Sequence, residues 1–383
     1  GRPTYVALIK DKLIQLAADG SFQLNMRYFS YCTGLTMTNT HFAQLFGREP
    51  RAPDSPISQM DMDLACSIQA VTEEIILTMA VALRNEYGLK HLCLAGGVAL
   101  NCVANGKLQR AGVFDNLWIQ PAAGDAGGAL GAALVGYHLH HQQPRVTTPE
   151  AMQGSYLGPA YGDEEIESVL KAANADYQKL GQTELINSAA QALAAGKVIG
   201  WFQGRMEFGP RALGNRSILG DPRAVHTQAT MNQKIKFRES FRPFAPSVLK
   251  EEVRDYFEQS GDSPYMLLVA PVKANRLNTL TEEEQRLSGI ERVQQKRSDI
   301  PAVTHVDSSA RIHTVTEAQN RRYYQLISAF KQLTGYALVV NTSFNVRDEP
   351  IVCSPGDALR CFQQSGLDEL YIGSFRLLKS RQK

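Results

Sequence analysis

The segment 204–223 is the most unusual part of the sequence, because it places four arginines among four glycines. Glycine lets backbone amides approach a ligand closely, and guanidinium groups bind phosphate or carboxylate through paired donors. The pattern predicts an anion-binding loop. The composition of this segment is equally compatible with a structural loop, in which the arginines pair with local carboxylates such as Glu207 and Asp221. The residues concerned are Arg205, Arg211, Arg216 and Arg223, with Gly204, Gly209, Gly214 and Gly220.

Two further pairs of polar residues occur at alternate positions. Lys236 and Arg238 lie in a segment that, if extended, directs both cations to one face. Ser343 and Asn345 follow a predicted strand, where a hydroxyl and an amide can orient a phosphate or an acyl carbonyl. Either pair alone is weak evidence, since such patterns occur by chance in many proteins and usually mean surface charge and a turn.

Hydrophobic periodicity predicts the elements that must position these groups. Apolar residues recur every three or four positions over 60–87, which predicts a long helix capped by Gly88. Two strand-turn-helix units follow, and they indicate an α/β class. The polar stretch 138–158 separates two predicted domains, 1–150 and 155–383. Strands are predicted at 91–95, 116–120, 198–202, 336–340 and 369–372, and further helices at 102–111, 129–137, 164–173, 184–195 and 355–364.

The order of these motifs resembles a known family. The pair Lys236 and Arg238 followed by Ser343 and Asn345 resembles the active-site signature of the domain that makes threonylcarbamoyl-adenylate for transfer-RNA modification. Longer strings resemble the C-terminal domain of the O-carbamoyltransferases of antibiotic, nodulation-factor and toxin biosynthesis, and this resemblance covers nearly all of residues 155–380. The strings are 204–223, 241–247, 305–311, 341–345 and 349–355.

The first domain resembles the second lobe of the actin-like (ASKHA) transferase domain of the same family. The strings 92–101 and 124–128 carry that resemblance, which implies that Asp125 helps to hold a metal such as Fe²⁺. Glycines that end a strand at a helix N-terminus also suit a phosphate physically. Without the family, Asp125 would be an ordinary turn or cap aspartate. The nucleotide contacts that the resemblance implies are Gly96, Gly97, Asn101, Gly127 and Gly128.

The resemblance implies a two-step reaction. ATP with Mg²⁺ and carbamoyl phosphate would form carbamoyl-adenylate in the second domain, and the first domain would pass the carbamoyl group to a hydroxyl of a small-molecule acceptor. Phosphate charge would be neutralised by cations, and a hydroxyl and an amide would position the reacting groups. The implied catalytic residues are Lys236, Arg238, Arg311, Ser343 and Asn345; Arg205, Arg211 and Arg216 would clamp carbamoyl phosphate or hold the loop, and Asn341 would contact the nucleotide.

The sequence departs from the family at one point. Members carry a first lobe with a metal-binding histidine pair, and no such lobe is recognisable here, so we expect the chain to be a fragment of a longer enzyme. Three alternatives stay open. A transfer-RNA threonylcarbamoyl-adenylate enzyme would use closely related chemistry. A hydrogenase-maturation protein ranks low, because no C-x-x-C motif occurs. A nucleotide-binding module without catalysis would keep these motifs.

Composition restricts the class of protein. The chain has 383 residues, with 40 Lys plus Arg against 38 Asp plus Glu, so its formal charge is +2 and nucleic acid is not an expected partner. The longest apolar stretch identified, 126–137, is too short to span a membrane, and no signal-peptide pattern is seen. Six scattered cysteines are expected to be reduced. We therefore expect a cytoplasmic protein without membrane association, and a homodimer is one oligomeric state to test.

Overall fold

The computed structural model describes residues 1–52, 55–147, 150–239, 241–259 and 261–382. It is mixed α/β and divides into two compact units. The first comprises residues 1–92 and 107–118, and the second comprises residues 93–106 and 119–383. The segments 93–106 and 119–150 group with the C-terminal part of the chain, and the predicted domain boundary at residues 150–155 stays a prediction.

The first unit is built around one long helix. Ser58 caps the helix α3 (Gln59–Tyr87) by accepting from the amide of Asp61, and Gly88 ends it in a left-handed conformation with φ 66°. Its core joins Val71 and Ile75 of α3 to apolar residues of the preceding segment. The preceding elements are α1 (Val6–Lys12), the antiparallel strands β1 (Ile14–Leu16) and β2 (Phe22–Leu24), and α2 (Thr40–Phe46).

Helix α3 is long and apolar enough to cross a membrane by length and composition alone. One such helix is weak evidence, since the core helix of a soluble protein passes the same test. The helix is longer than the apolar stretch 126–137 that the sequence suggested as the longest.

Two short strands and two helices follow α3. Strands β3 (His91–Leu94) and β4 (Asn116–Ile119) form a two-stranded sheet, and each is followed by a turn and a helix, as predicted. The helices are α4 (Cys102–Arg110) and α5 (Asp125–Val135), and a π-helical segment (Gly136–His140) extends α5.

The second unit contains a nine-stranded mixed sheet with the order β5-β13-β12-β6-β7-β11-β8-β10-β9. β6 runs parallel to β12 and β8 runs parallel to β10, whereas the other described pairings are antiparallel. Strands β6, β7, β8 and β12 are buried over their whole length, as expected for a sheet covered on both faces. The strands are β5 (Gln178–Lys179), β6 (Ile199–Phe202), β7 (Arg216–Gly220), β8 (Ala245–Leu249), β9 (Leu268–Pro271), β10 (Ser309–Val315), β11 (Leu338–Ser343), β12 (Glu369–Ile372) and β13 (Phe375–Leu378).

Helices contribute their apolar faces to the core of this sheet. Trp201, Phe330, Phe344 and Phe362 lie in one cluster with solvent-exposed fractions of 0%. α7 packs against α11, and α12 packs against α6. The helices are α6 (Asp163–Ala172), α7 (Gln182–Ala194), α8 (Val225–Thr230), α9 (Val253–Tyr256), α10 (Glu282–Arg286), α11 (Arg321–Thr334) and α12 (Pro355–Gln364).

Candidate active site

Lys236 is the centre of the candidate site. Its side chain is buried, and Nζ donates to Asn345 Oδ1 at 2.6 Å, to the Asn345 carbonyl at 3.0 Å and to Ser343 Oγ at 3.2 Å. The Ser343 carbonyl accepts a further hydrogen bond from Nζ, and Ser343 Oγ donates to Asn345 Oδ1 at 2.7 Å. The structure therefore brings Lys236 together with two residues that lie more than 100 positions further along the sequence.

A turn, rather than an extended segment, joins Lys236 to Arg238. The π-helical segment Met231–Ile235 continues into helical backbone at Lys236, and Phe237 then takes a positive φ of 46°. The amide of Arg238 donates to the Asn232 carbonyl at 3.1 Å, and Arg238 Nε donates to Asn232 Oδ1 at 2.7 Å. The condition under which both cations would point to one face, an extended segment, is not met, because the chain closes a turn here. Left-handed backbone at a non-glycine residue is typical of functional sites.

The strand exit at Ser343 agrees with the prediction. β11 ends at Ser343, and the amide of Asn345 donates to the Ser343 carbonyl at 3.1 Å. Asn345 Nδ2 donates to the Glu349 carbonyl at 2.8 Å, which leaves Asn345 Oδ1 directed at Lys236 and Ser343. The amide orientation is therefore fixed by its own hydrogen bonds.

Arginines surround a cavity of about 370 Å³ next to Lys236. No aspartate or glutamate lines this cavity among the described residues, and a neighbouring cavity of about 250 Å³ shares Arg238, Arg242 and Ser343 with it. Among the described residues, Arg211 Nε and Arg311 Nε are buried and have no hydrogen-bond partner, and both arginines line the larger cavity. The cationic residues that line the two cavities are Lys236, Arg211, Arg238, Arg242, Arg311 and Arg347.

Burial, together with neighbouring positive charge, lowers the pKa values of Lys236, Arg211 and Arg238. Burial and the charge of Arg238 lower the pKa of Lys236 to about 7. Burial lowers the pKa of Arg211 to about 10 with a contribution from Arg311, and burial lowers the pKa of Arg238 to about 10 with contributions from Arg242 and Arg311. The guanidinium groups stay charged near neutral pH, and an anion between them would relieve their mutual repulsion.

Sequence reasoning missed two residues of the site. His305 lines the larger cavity, and burial lowers its pKa to about 4, so its imidazole is neutral near pH 7. Its Nδ1 lies 3.3 Å from Ser309 Oγ. Arg242 lines both cavities and forms an ion pair with Glu239 at 3.2 Å. Both residues belong to strings that carried the family resemblance, and that was the available signal.

The arginine-glycine loop uses its arginines in different ways. Arg211 lines the larger cavity, and the anion-binding role of the loop stays a prediction. Arg216 is buried at 3.6 Å from the ring of Phe202, and its guanidinium donates to backbone carbonyls. Arg223 pairs with Asp221 at 2.6 Å. Arg216 therefore holds the loop, which is one of the two roles expected for it. The carbonyls that accept from Arg216 belong to Pro159, Gln203, Gly204 and Asn215.

Glu207 organises the same loop from inside. Its Oε1 accepts from the backbone amides of Leu213 at 2.7 Å, Asn215 at 2.8 Å and Arg216 at 3.3 Å. Burial raises the pKa of Glu207, and these hydrogen bonds oppose that effect. The predicted pairing of Glu207 with an arginine side chain is replaced by bonds to amides, which fix the position from which Arg211 projects.

Three predicted ligand-binding residues occupy other places. Asn341 is fully buried in β11 and donates to the Ala212 carbonyl and to Ser247 Oγ, each at 2.9 Å. It lines neither of the two cavities, and its Nδ2 holds the arginine-glycine loop through Ala212, so the expected nucleotide contact stays a prediction. Arg205 and Arg216 also lie outside these cavities, and Arg205 lines a third one.

The residues predicted for the transferase lobe form a separate set. Gly96 has φ 92° and precedes the helical turn Gly97–Leu100, and Asn101 Oδ1 accepts from the amide of Ala104 at 3.1 Å. A Cβ on Gly127 would lie 2.2 Å from the Ala122 carbonyl oxygen, so close packing requires glycine there, whereas Gly128 has open space. These residues line neither arginine-rich cavity.

Asp125 does not form a metal centre with other described residues. It is exposed in the first turn of α5, and no group of three or more His, Cys, Asp or Glu residues is placed to hold a metal within the described ranges. A single carboxylate does not supply the ligand set of a transition metal. The residues present therefore do not fit the expected Fe²⁺ site by themselves.

Comparison with known proteins identifies the class of protein. The family model for the carbamoyltransferase C-terminus matches residues 190–379, and that for the carbamoyltransferase N-terminus matches residues 1–134. The chain belongs to the carbamoyltransferase family.

Several curated relatives are similar to this chain. An uncharacterized protein of Synechocystis is 58% identical over 100% of the chain, which spans 63% of that protein. Nodulation protein NolNO of Sinorhizobium fredii is 42% identical over 87% of the chain and 46% of the relative. A 3'-hydroxymethylcephem-O-carbamoyltransferase of Amycolatopsis lactamdurans is 30% identical over 80% of the chain and 53% of the relative. The chain thus spans about half to two thirds of their length.

Proposed function

We propose that the arginine-rich site makes carbamoyl-adenylate from carbamoyl phosphate and ATP, and that the protein transfers the carbamoyl group to a hydroxyl of a small molecule. The relative that is named a cephem O-carbamoyltransferase supports a small-molecule acceptor. The finer fold assignments, to a threonylcarbamoyl-adenylate synthase domain and an actin-like lobe, are part of this proposal. So are the cytoplasmic location and ATP bound with Mg²⁺.

The proposed chemistry balances as three displacements. Water attacks the carbonyl carbon of carbamoyl phosphate, the bond to the phosphate oxygen breaks, and inorganic phosphate leaves with carbamate as the product. A carbamate oxygen then attacks the α-phosphorus of ATP, and pyrophosphate leaves. Finally the acceptor oxygen attacks the carbonyl carbon of carbamoyl-adenylate, and adenosine monophosphate leaves as the hydroxyl proton is lost to solvent.

The residues of the site suit the second displacement. Lys236, Arg238 and Arg311 would neutralise phosphate charge as it redistributes toward pyrophosphate. Ser343 and Asn345 hold Lys236 and would position the nucleotide phosphate and the carbamoyl carbonyl. Lys236 makes its hydrogen bonds to neutral oxygens, so its charge is not cancelled by a carboxylate.

One observation carries the proposal: Arg211 Nε and Arg311 Nε are buried without a hydrogen-bond partner among the described residues, and both arginines line a cavity that no described carboxylate lines. The buried Lys236 lines the neighbouring cavity, which shares Arg238, Arg242 and Ser343 with the first and which Glu239 and Asp348 also line. Burial of uncompensated cations costs free energy, and a polyanionic ligand offsets that cost. A purely structural arrangement would pair these cations with carboxylates, as Arg223 is paired with Asp221.

Exchange of labelled pyrophosphate into ATP in the presence of carbamoyl phosphate tests the proposal. We expect Lys236→Ala to slow this exchange by about 100-fold, the usual cost of losing one charge-stabilising donor. Lys250→Ala is the matched control, because Lys250 is exposed and pairs with Asp262 at 2.7 Å. Exchange that survives Lys236→Ala would reject the assignment, and exchange that requires threonine and bicarbonate instead would point to a threonylcarbamoyl-adenylate enzyme.

The transfer step makes a further demand on the protein. A divalent metal in the transferase lobe would need ligands in addition to Asp125, since the described residues provide no metal-binding group of three. The activity of the whole protein, its acceptor and its oligomeric state are therefore tested on the full-length gene product, with pyrophosphate exchange measured separately from acceptor carbamoylation.

A further inference from the structure

A third cavity, of about 740 Å³, lies in the second unit and is distinct from the site above. None of its lining residues lines either of the two cavities around Lys236 and Arg311. Its volume falls within the range of roughly 300–1,000 Å³ that is usual for small-molecule pockets. The proposed carbamoyl-adenylate chemistry assigns it no role.

The topology of the sheet places this cavity where α/β proteins bind ligands. Phe202 and Gln203 lie at the carboxyl end of β6, and Gly373 lies at the carboxyl end of the parallel strand β12. Helix α11 begins beside the cavity at Asn320 and Arg321. Ligands of such sheets bind in the crevice outside the carboxyl ends of parallel strands, and a helix N-terminus there favours an anion.

Arginines give the cavity its charge. Arg205, Arg321 and Arg322 line it, against Glu150 and Asp163. Glu150 accepts from Tyr265 OH and from Gln319, and Asp163 lies 3.8 Å from Lys179 Nζ, so both carboxylates are already engaged.

Two of these arginines retain donors for a ligand. Within the described residues, the side chain of Arg205 makes a single hydrogen bond, from Nη1 to the Gly158 carbonyl at 3.0 Å. Arg322 likewise makes one, from Nη1 to Gln203 Oε1 at 2.5 Å. A guanidinium carries five N–H donors, so each of the two keeps several free.

Buried polar groups and an aromatic ring make the rest of the wall rigid. Gln203 is 3% exposed, and its Nε2 donates to the Gly373 carbonyl at 3.1 Å. This bond fixes the orientation of Gln203 Oε1, which accepts from Arg322. Tyr156 OH donates to the Leu213 carbonyl at 2.7 Å and accepts from Asn320 Nδ2 at 3.1 Å. Tyr156 and Tyr161 both line the cavity, which places aromatic surface beside a planar group of a ligand.

We propose that this cavity is a second anion site, which binds the phosphate monoester dianion of a small molecule that also carries a ring. Arg205 and Arg322 bind the phosphate oxygens, and the tyrosine rings contact the remainder of the ligand. The loop 204–215 contributes Arg205 and Asn215 to this cavity and Arg211 and Ala212 to the larger cavity of the first site. The same loop therefore lies against both ligands.

Direct binding of two probes to the full chain tests the proposal. Isothermal titration with adenosine monophosphate is expected to find two sites per chain, and Arg205→Glu is expected to leave one. In the Lys236→Met background, which removes the first site, adding Arg205→Glu is expected to weaken the remaining affinity at least tenfold, equivalent to about 1.4 kcal/mol. Inorganic phosphate is titrated in parallel; weaker binding of phosphate than of the nucleotide identifies a ring-bearing ligand, and equal binding overturns that part.

A matched control separates a local effect from a general change in charge. Arg286→Glu makes the same charge reversal on an 81% exposed side chain of α10 and is expected to leave both affinities unchanged. Thermal unfolding confirms that each variant is folded. Adenosine monophosphate binding that keeps its stoichiometry and affinity in Arg205→Glu overturns the second site. Because the readout is binding, its failure is distinguishable from failure of pyrophosphate exchange.

Discussion

At the scale of single residues, Lys236 couples ligand binding to pH. Its pKa is lowered to about 7 by burial and by the charge of Arg238, whereas a free lysine has a pKa near 10.4. A bound phosphate favours the protonated lysine, so ligand binding raises this pKa and takes up a proton above pH 7. The same cation would therefore be fully charged in the complex and only partly charged in the empty site.

As far as the titration of Lys236 is concerned, we expect the affinity for ATP to be constant below about pH 6.5. It should fall as the pH rises through 7 and beyond. The sign follows because the unliganded lysine loses its proton first, and the fall is at most tenfold per pH unit for one proton. Arg238→Gln removes a repelling cation, so the fall should begin at higher pH. Calorimetry at pH 6 to 9 in buffers of different ionisation enthalpy measures both the affinity and the proton uptake.

The control for this pH dependence is Lys250→Met, which removes an exposed lysine and should leave the pH profile unchanged. Lys236→Met should abolish the dependence together with the proton uptake. A profile that is the same in Lys236→Met and in the native chain would show that another group titrates.

At the scale of elements, the connection between β6 and β7 depends on a glycine. Gly214 has φ 100°, and a Cβ there would lie 2.2 Å from Tyr323 Cδ1. Tyr323 is fully buried in α11, so its ring cannot move aside without disturbing the core. The amide of Gly214 donates to Ser217 Oγ at 3.1 Å, which ties the turn to the start of β7.

We expect Gly214→Ala to lower the free energy of unfolding by about 3 kcal/mol, because it combines overpacking with an unfavourable backbone conformation. Gly131→Ala is the control: Gly131 lies inside α5 with no atom near the position of a Cβ, and the change should stabilise by up to about 1 kcal/mol. Urea unfolding followed by the fluorescence of buried Trp201 measures both. Equal stability of the two variants would contradict the packing argument.

Sequence reasoning succeeded at elements with a clear period or cap. The helix predicted at 60–87 is Gln59–Tyr87, and the strand predicted at 369–372 is Glu369–Ile372. It failed at β7, since an arginine at the start of a glycine-rich run predicts a loop. Only the tertiary structure shows that Arg216 is buried against Phe202.

The same limit applies to the candidate site. Alternating residues suggested an extended segment at Lys236, but the adjacent helix and the left-handed Phe237 decide its conformation. The meeting of Lys236 with Ser343 was expected from family resemblance alone, because no local pattern encodes a contact across more than 100 residues. No sequence signal shows that Asn341 is buried, since an asparagine near the end of a strand can lie either in the core or in a ligand-binding cavity.

At the scale of the whole molecule, charge is balanced globally and concentrated locally. The formal charge is +2, yet several cations surround the larger cavity and no described carboxylate lines it. Long-range attraction of an anion by so small a net charge is weak. Salt dependence of binding should therefore report the local cluster of cations.

We expect the affinity for ATP to fall several-fold as ionic strength rises from 0.05 to 0.5 M, because salt screens the cations at the mouth of the cavity more than it screens buried ones. Arg242→Gln should flatten this dependence, since Arg242 is half exposed and lines both cavities. Arg286→Gln removes an equally charged but distant side chain and should keep the native slope. Titrations at four salt concentrations give the slopes, and an identical slope for all three proteins would mean that net charge, rather than the arginine cluster, attracts the nucleotide.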